Sequence, residues 1–381
     1  MLLRSKIIFS LPLIDYKYLL NAHSHFAFGG WVSLMLMTLL VFEILPEEKR
    51  SGRKYVWLLG AIAVNAWGML LSFPFQGYAF LSILFSTLFI FTTYIFSWVY
   101  IRDISRLPLN SSAKLLIITG LICLVVSSIG PFTLAYLLAT HSGNFLLFKN
   151  AVYTYLHFQY NGFFTFSVLG ILFEKINVLS ESAKRNTRLF SILLCTSILP
   201  SAFLSYLWQY PSSHYRFIAL IGAITTLASV LYFALIFSTV RNYFTSPVAR
   251  VLGIMSLASF MLKMVLQSGT IVPAIGNVVF GDRPVIIGFL HLVFLGFVTL
   301  FAIAYLLQNN MMDIRPKITG LAVRAFAGSV ILNEVILMSQ GLGIMFQQNS
   351  TIYPWLLWIA GIGLFLSSLV VAISNMRPKM V

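Results

Sequence analysis

Six histidines occur in the 381 residues, and three of them open the same local pattern. The segments read His25-Phe-Ala-Phe-Gly-Gly30-Trp31-Val-Ser33-Leu, His157-Phe-Gln-Tyr-Asn-Gly162-Phe163-Phe-Thr165-Phe and His291-Leu-Val-Phe-Leu-Gly296-Phe297-Val-Thr299-Leu. Each runs His, apolar, any residue, aromatic, any residue, Gly, aromatic, apolar, Ser or Thr, apolar. The histidines stand 132 and 134 residues apart. Imidazole binds a metal while neutral, so it can serve as a ligand in apolar surroundings without carrying a charge there. A glycine five residues on removes a side chain and lets a neighbouring helix, or a flat cofactor, come close to the backbone. Repetition at a fixed period marks one structural unit copied, here a unit of four helices with the last copy one helix short.

The elements that must position these residues are membrane helices. The chain is 59% hydrophobic and 9% charged, with a mean hydropathy of +0.91, far from the composition of a soluble enzyme. A bilayer span takes roughly 20 apolar residues, and eleven such runs begin near Asn21, Tyr55, Tyr78, Lys114, Ala151, Arg188, Tyr215, Val251, Pro284, Ile318 and Ile352. The expected fold is an all-α polytopic bundle of about eleven helices with a pseudo-threefold repeat, in units of about 21–140, 151–270 and 284–381. Residues 1–20 read as an N-terminal interfacial segment and 21–381 as one transmembrane domain. The formal charge of +15 reflects topology rather than nucleic-acid binding. Lys49, Arg50, Arg53, Lys54, Arg102, Arg106, Lys114, Lys175, Lys184, Arg185, Arg188, Arg241, Arg250, Arg315, Lys317, Arg377 and Lys379 fall in or beside alternate connections, only Lys149, Arg216 and Arg283 fall in the others, and these outvote Arg4, Lys6 and Lys17 at the N-terminus. That asymmetry places the N-terminus outside and the C-terminus in the cytoplasm of an inner (cytoplasmic) membrane. The three motif histidines then lie at one depth, roughly 6–10 Å below the outer surface at 1.5 Å per residue.

At these residues the chain resembles the haem-copper oxidase subunit I superfamily, including nitric-oxide reductase large subunits. The opening His23-Ser-His25 is also similar to the paired-His helix of NnrS-type haem and copper membrane proteins. The resemblance covers the helical layout if the family's first helix is missing here. It implies haem b held by His25 and His291 as axial ligands, and gives His157 the position of a ligand to copper or a second metal. The chain departs from the pattern at the catalytic centre. Phe289 stands where the catalytic haem would find its histidine, Asn161 stands where the reductases carry Glu, and the sixth span has no histidine. One histidine is too few for a second metal beside an open haem iron, so a terminal oxidase is rejected. The expectation is electron transfer or sensing of a diatomic gas. The partners implied are the lipid bilayer, haem, respiratory-complex subunits, and quinol or cytochrome c.

Three further residues enter the expected site. Arg283, at the outer mouth of the span bearing His291, is suited to a haem propionate through charge-assisted bonds. Lys263 and Glu334 lie within spans eight and ten, where charged residues are rare and usually paired. They are expected to form an intramembrane charge pair, with a proton relay as the sharper reading. His141 and His214 fall in outer loops. Cys123 and Cys195 sit in apolar runs as small hydrophobes. Two rival functions fit the same features. A proton, ion or small-solute transporter would use Lys263 and Glu334, and an assembly subunit of a respiratory complex would keep the fold without the cofactor.

Overall fold

Lipid offers no hydrogen bonds to the backbone, so an apolar chain must satisfy its amides within helices or a closed barrel. The computed structural model describes residues 1–176, 180–210, 212–346 and 350–376, and it is all-α. In chain order the helices are α1 (Leu2–Ile8), α2 (Tyr16–Ile44), the single turn α3 (Glu47–Arg50), α4 (Arg53–Gln76), α5 (Phe80–Ser105), α6 (Ser111–Ala139) and α7 (145–175). They continue with α8 (Glu181–Ser205), α9 (Ser213–Arg241), α10 (Pro247–Gly269), α11 (Pro273–Gly281), α12 (Arg283–Gln308), α13 (Lys317–Met345) and α14 (Ile352–Met376). Ten of these are long and apolar enough to cross a membrane. The protein is an integral, multi-pass membrane protein.

The long helix outside those ten is α7, the fifth expected span. It is as long as its neighbours, but His157, Gln159 and Asn161 lower its hydropathy. It tolerates them because residues 157–173 are buried without a break. Helix starts differ from the apolar runs where polar caps lie upstream. The Asp15 side chain accepts from the Tyr18 amide, Asn144 from the Leu147 amide and Ser180 from the Ala183 amide. Such caps satisfy amides that a helix start leaves open, so α2, α7 and α8 begin up to two turns before their apolar runs.

The chain divides into two compact units. The larger comprises Ile14–Val240 and Gln267–Ile271. At one end of it Asp103 accepts from the Tyr55 hydroxyl at 2.8 Å and pairs with Lys54 at 2.5 Å and Lys49 at 3.4 Å. Glu43 and Lys175 pair at 3.0 Å. These bonds tie the ends of α2, α4, α5 and α7, and acids there offset part of the basic charge of the connections.

The smaller unit comprises Met1–Leu13, Arg241–Leu266 and Val272–Val381. In it Ile336, Leu337, Leu357 and Ala360 form a buried core between α13 and α14. Residues expected to float at the interface are docked here instead: Phe9 stands edge-on to Trp355 and Trp358, and the Trp358 indole donates to Ser5 at 3.0 Å. Arg377 and Lys379, counted toward orientation, lie outside the described residues.

Candidate functional site

The three motif copies share a backbone feature that ordinary periodicity does not announce. Phe26–Ser33, His157–Phe164 and Leu292–Thr299 are π-helical, and each is eight residues long. The α-to-π change falls directly after His25 and His291 and directly at His157. π-Helix is rare, occurs mostly as single-turn bulges and is frequent at functional sites. In each copy the motif glycine lies inside the widened stretch, and the closing hydroxyl of Ser33, Thr165 or Thr299 is buried. Thr165 donates to the carbonyl of Tyr160 at 2.6 Å. That carbonyl is five residues back, while the Thr165 amide itself bonds the Gly162 carbonyl three residues back.

The glycines admit protein rather than an open cleft. A Cβ on Gly162 would collide with Cys123 of α6, and one on Gly296 would sit 2.9 Å from the Ser259 hydroxyl of α10. On Gly30 it would strike the ring of Phe26. Close helix approach is therefore the use made of the glycine in the second and third copies.

His25, in the larger unit, is held by aromatic neighbours. Its ring stacks on Phe73 with centroids 4.4 Å apart and planes 11° apart. Tyr78 stands edge-on to both rings, and its hydroxyl lies 2.9 Å from His25 Nε2. A phenol is protonated at neutral pH, so the hydroxyl is able to donate. His25 is partly buried.

His157 is almost wholly buried, at 1% exposure. Its Nε2 is 2.8 Å from the carbonyl of Ile198, which can only accept, so Nε2 carries the proton. The other nitrogen, Nδ1, accepts from the Asn161 amide at 3.1 Å. Both ring nitrogens are thus engaged by protein groups, and the donor set does not suit copper or a second metal at this residue. Among the described residues no group of three or more His, Cys, Asp and Glu side chains could hold a metal ion. His157 and Asn161 act as a hydrogen-bonded core pair that ties α7 to α8.

His291, in the smaller unit, differs. Its Nδ1 donates to the carbonyl of Ile287 at 2.8 Å, which puts the lone pair on Nε2. A ligating histidine characteristically has this arrangement, one N–H fixed on a backbone carbonyl and the opposite nitrogen basic. The tautomer of His291 is the one a metal-ligating histidine takes, whereas His25 Nε2 is held by the Tyr78 hydroxyl. Arg283 is exposed at the first residue of α12, eight residues before His291 or about 12 Å along the axis.

Lys263 is fully buried, its ammonium 6.0 Å from the Phe260 ring centre and 5.8 Å from that of Phe297 in the third π segment. The same helix sends the Ser256 hydroxyl to the Phe297 carbonyl at 2.7 Å. Glu334 receives the Asn333 amide at 3.0 Å. Among the described residues no ion pair joins Lys263 to Glu334. The expected pair is replaced by local partners: aromatic faces can accommodate a buried cation, and an adjacent amide satisfies a carboxyl oxygen. His23 and His141 are exposed, and His214 lines a shallow surface groove with Ser213, Phe217 and Ile218.

Phe73 and Tyr78 were not among the expected site residues. Their partnership with His25 spans 53 residues of sequence, and no local spacing signals it. No family model and no curated protein matches the chain.

Proposed function

We propose that this chain is a haem-b-binding integral membrane protein that transfers electrons or senses a diatomic gas, with His25 and His291, each taken within its own unit, as the candidate iron ligands. The observation that carries the reading is an α-to-π change at or directly after each of the three motif histidines. A π segment adds a residue to the turn and re-aims the side chains beyond it, so a ligand and the wall beside it are set together. Three such segments also support descent of the helices from a repeated four-helix unit, in keeping with the resemblance to haem-copper oxidase subunit I. Haem, when bound, supplies an iron that gains or loses one electron. The chain's own part is to orient the imidazoles. Ile287 fixes the tautomer of His291, and Phe73 fixes the ring plane of His25. His157, with both nitrogens occupied by protein groups, holds helices together. Purified from haem-replete cells, the protein should be red. His25→Ala and His291→Ala should each remove or shift the Soret band, whereas His157→Ala should leave it unchanged. A band indifferent to both ligand substitutions would defeat the assignment.

A second reading rests on the smaller unit. Lys263 and Glu334 are ionisable groups within spans that do not pair with each other, an arrangement found on proton and ion paths. In that case liposomes containing haem-free protein would show proton flux, lost in Lys263→Met or Glu334→Gln. No flux above protein-free liposomes would remove this reading.

A further inference from the structure

The basic end of the α4 and α5 pair, within the larger unit, carries a charged surface that the haem reading does not use. Lys54, at the start of α4, pairs with Asp103, near the end of α5, at 2.5 Å. Eleven residues further along each helix, Asn65 donates to the Thr92 hydroxyl at 3.3 Å. The two helices therefore lie side by side, antiparallel and in one register. That register sets Arg53 and Arg102, the neighbours of Lys54 and Asp103, within about 3 Å of one height. Each arginine shares a helix face with a tryptophan one turn nearer the middle of the span: Trp57 follows Arg53 by four residues, and Trp98 precedes Arg102 by four. Both arginines are exposed, and so are both rings, Trp57 at 76% and Trp98 at 74%. Tyr55 and Ile62 of α4 and Phe96 and Tyr100 of α5 are fully buried on the opposite faces.

The cations at this end fall into two sets. Lys49 and Lys54 are held by Asp103, and Arg50 by Glu47 and the carbonyl of Phe42. Among the described residues no ion pair holds Arg53 or Arg102. Two guanidiniums thus point away from the fold, each above an exposed indole. A guanidinium binds a phosphate through two parallel N–H···O bonds, and tryptophan favours the boundary between headgroups and acyl chains.

We propose that the exposed face of α4 and α5 at this end is a binding site for a phospholipid with an anionic headgroup. Arg53 and Arg102 take the headgroup phosphate, and Trp57 and Trp98 lie against the acyl chains. Charge complementarity selects the headgroup: a zwitterionic one carries its own ammonium, which two guanidiniums repel. The indoles select a lipid over a free phosphate, because an apolar tail is what meets an exposed ring inside the span.

Native mass spectrometry of the detergent-purified protein, titrated separately with dioleoylphosphatidylglycerol and dioleoylphosphatidylcholine, reads the affinity for the first bound lipid. Phosphatidylglycerol should bind wild type at least five-fold more tightly than phosphatidylcholine. Arg53→Gln and Arg102→Gln should each weaken phosphatidylglycerol about five-fold, the factor for one basic side chain at an anionic membrane surface, and leave phosphatidylcholine unchanged. Arg188→Gln removes an exposed arginine with Ile192, not tryptophan, one turn along its helix, and should alter neither affinity. Equal phosphatidylglycerol affinity in wild type and both seam variants would overturn the proposal. An equal loss in Arg188→Gln would overturn it too, since any surface cation would then suffice. Glycerophosphoglycerol, the headgroup without acyl chains, binding as tightly as the lipid would overturn lipid as the occupant in favour of a free anion.

Discussion

His157 and His291 begin the same sequence pattern, yet their ring nitrogens face opposite chemistry. One donates Nε2–H to Ile198 and accepts at Nδ1 from Asn161; the other donates Nδ1–H to Ile287. The distinction predicts different consequences of losing each ring. His157→Ala leaves a buried carbonyl and a buried amide without this partner, which costs about 1–3 kcal/mol. It should lower the melting temperature by several degrees without changing any haem spectrum, which differential scanning fluorimetry and absorbance would report. His291→Ala should do the reverse, with a small change in melting of the haem-free protein and loss of ligation. The pattern of residues made all three histidines visible, because spacing along a helix is encoded locally. Which groups hold the ring nitrogens of His157 and His25 was not visible, since Ile198 lies 41 residues from His157 and Tyr78 lies 53 from His25.

The helices themselves were legible as long apolar runs, because in lipid a run of that length has few alternatives to a helix. Their starts were less so, since Asp15, Asn144 and Ser180 are polar and fall outside any hydropathy window. The π segments were marked by the glycine and the closing hydroxyl but could not be identified from them. The same letters fit an α-helix, and the choice rests on which carbonyl each backbone amide selects. Packing around α7 gives a test at this scale. Gly162 faces Cys123 with no space for a Cβ, whereas Gly60 on α4 has open space around its missing side chain. Gly162→Ala should destabilise the protein by about 1–3 kcal/mol through overpacking. Gly60→Ala should be neutral or stabilising by up to about 1 kcal/mol through helix propensity. Thermal melts of both variants in one detergent would check the pair, and equal shifts would argue against close contact of α6 with the π segment.

For the whole molecule, composition determined the environment and the distribution of Lys and Arg suggests the direction. The orientation with the C-terminus in the cytoplasm predicts fluorescence from a C-terminal green fluorescent protein fusion and activity from an alkaline phosphatase fused at the N-terminus behind an export signal. The opposite pair of results would reverse the topology. The acids Glu43 and Asp103 pair with Lys175, Lys49 and Lys54 within the larger unit, so some of the basic side chains are engaged inside the fold.

Cofactor identity is decided most directly by a reduced-minus-oxidised absorbance spectrum, with iron analysis, of wild-type protein purified from haem-replete cells. The haem reading predicts a Soret band with the α and β bands of a b-type haem, and iron bound in proportion to protein. A colourless protein without iron, prepared from the same cells, would contradict it.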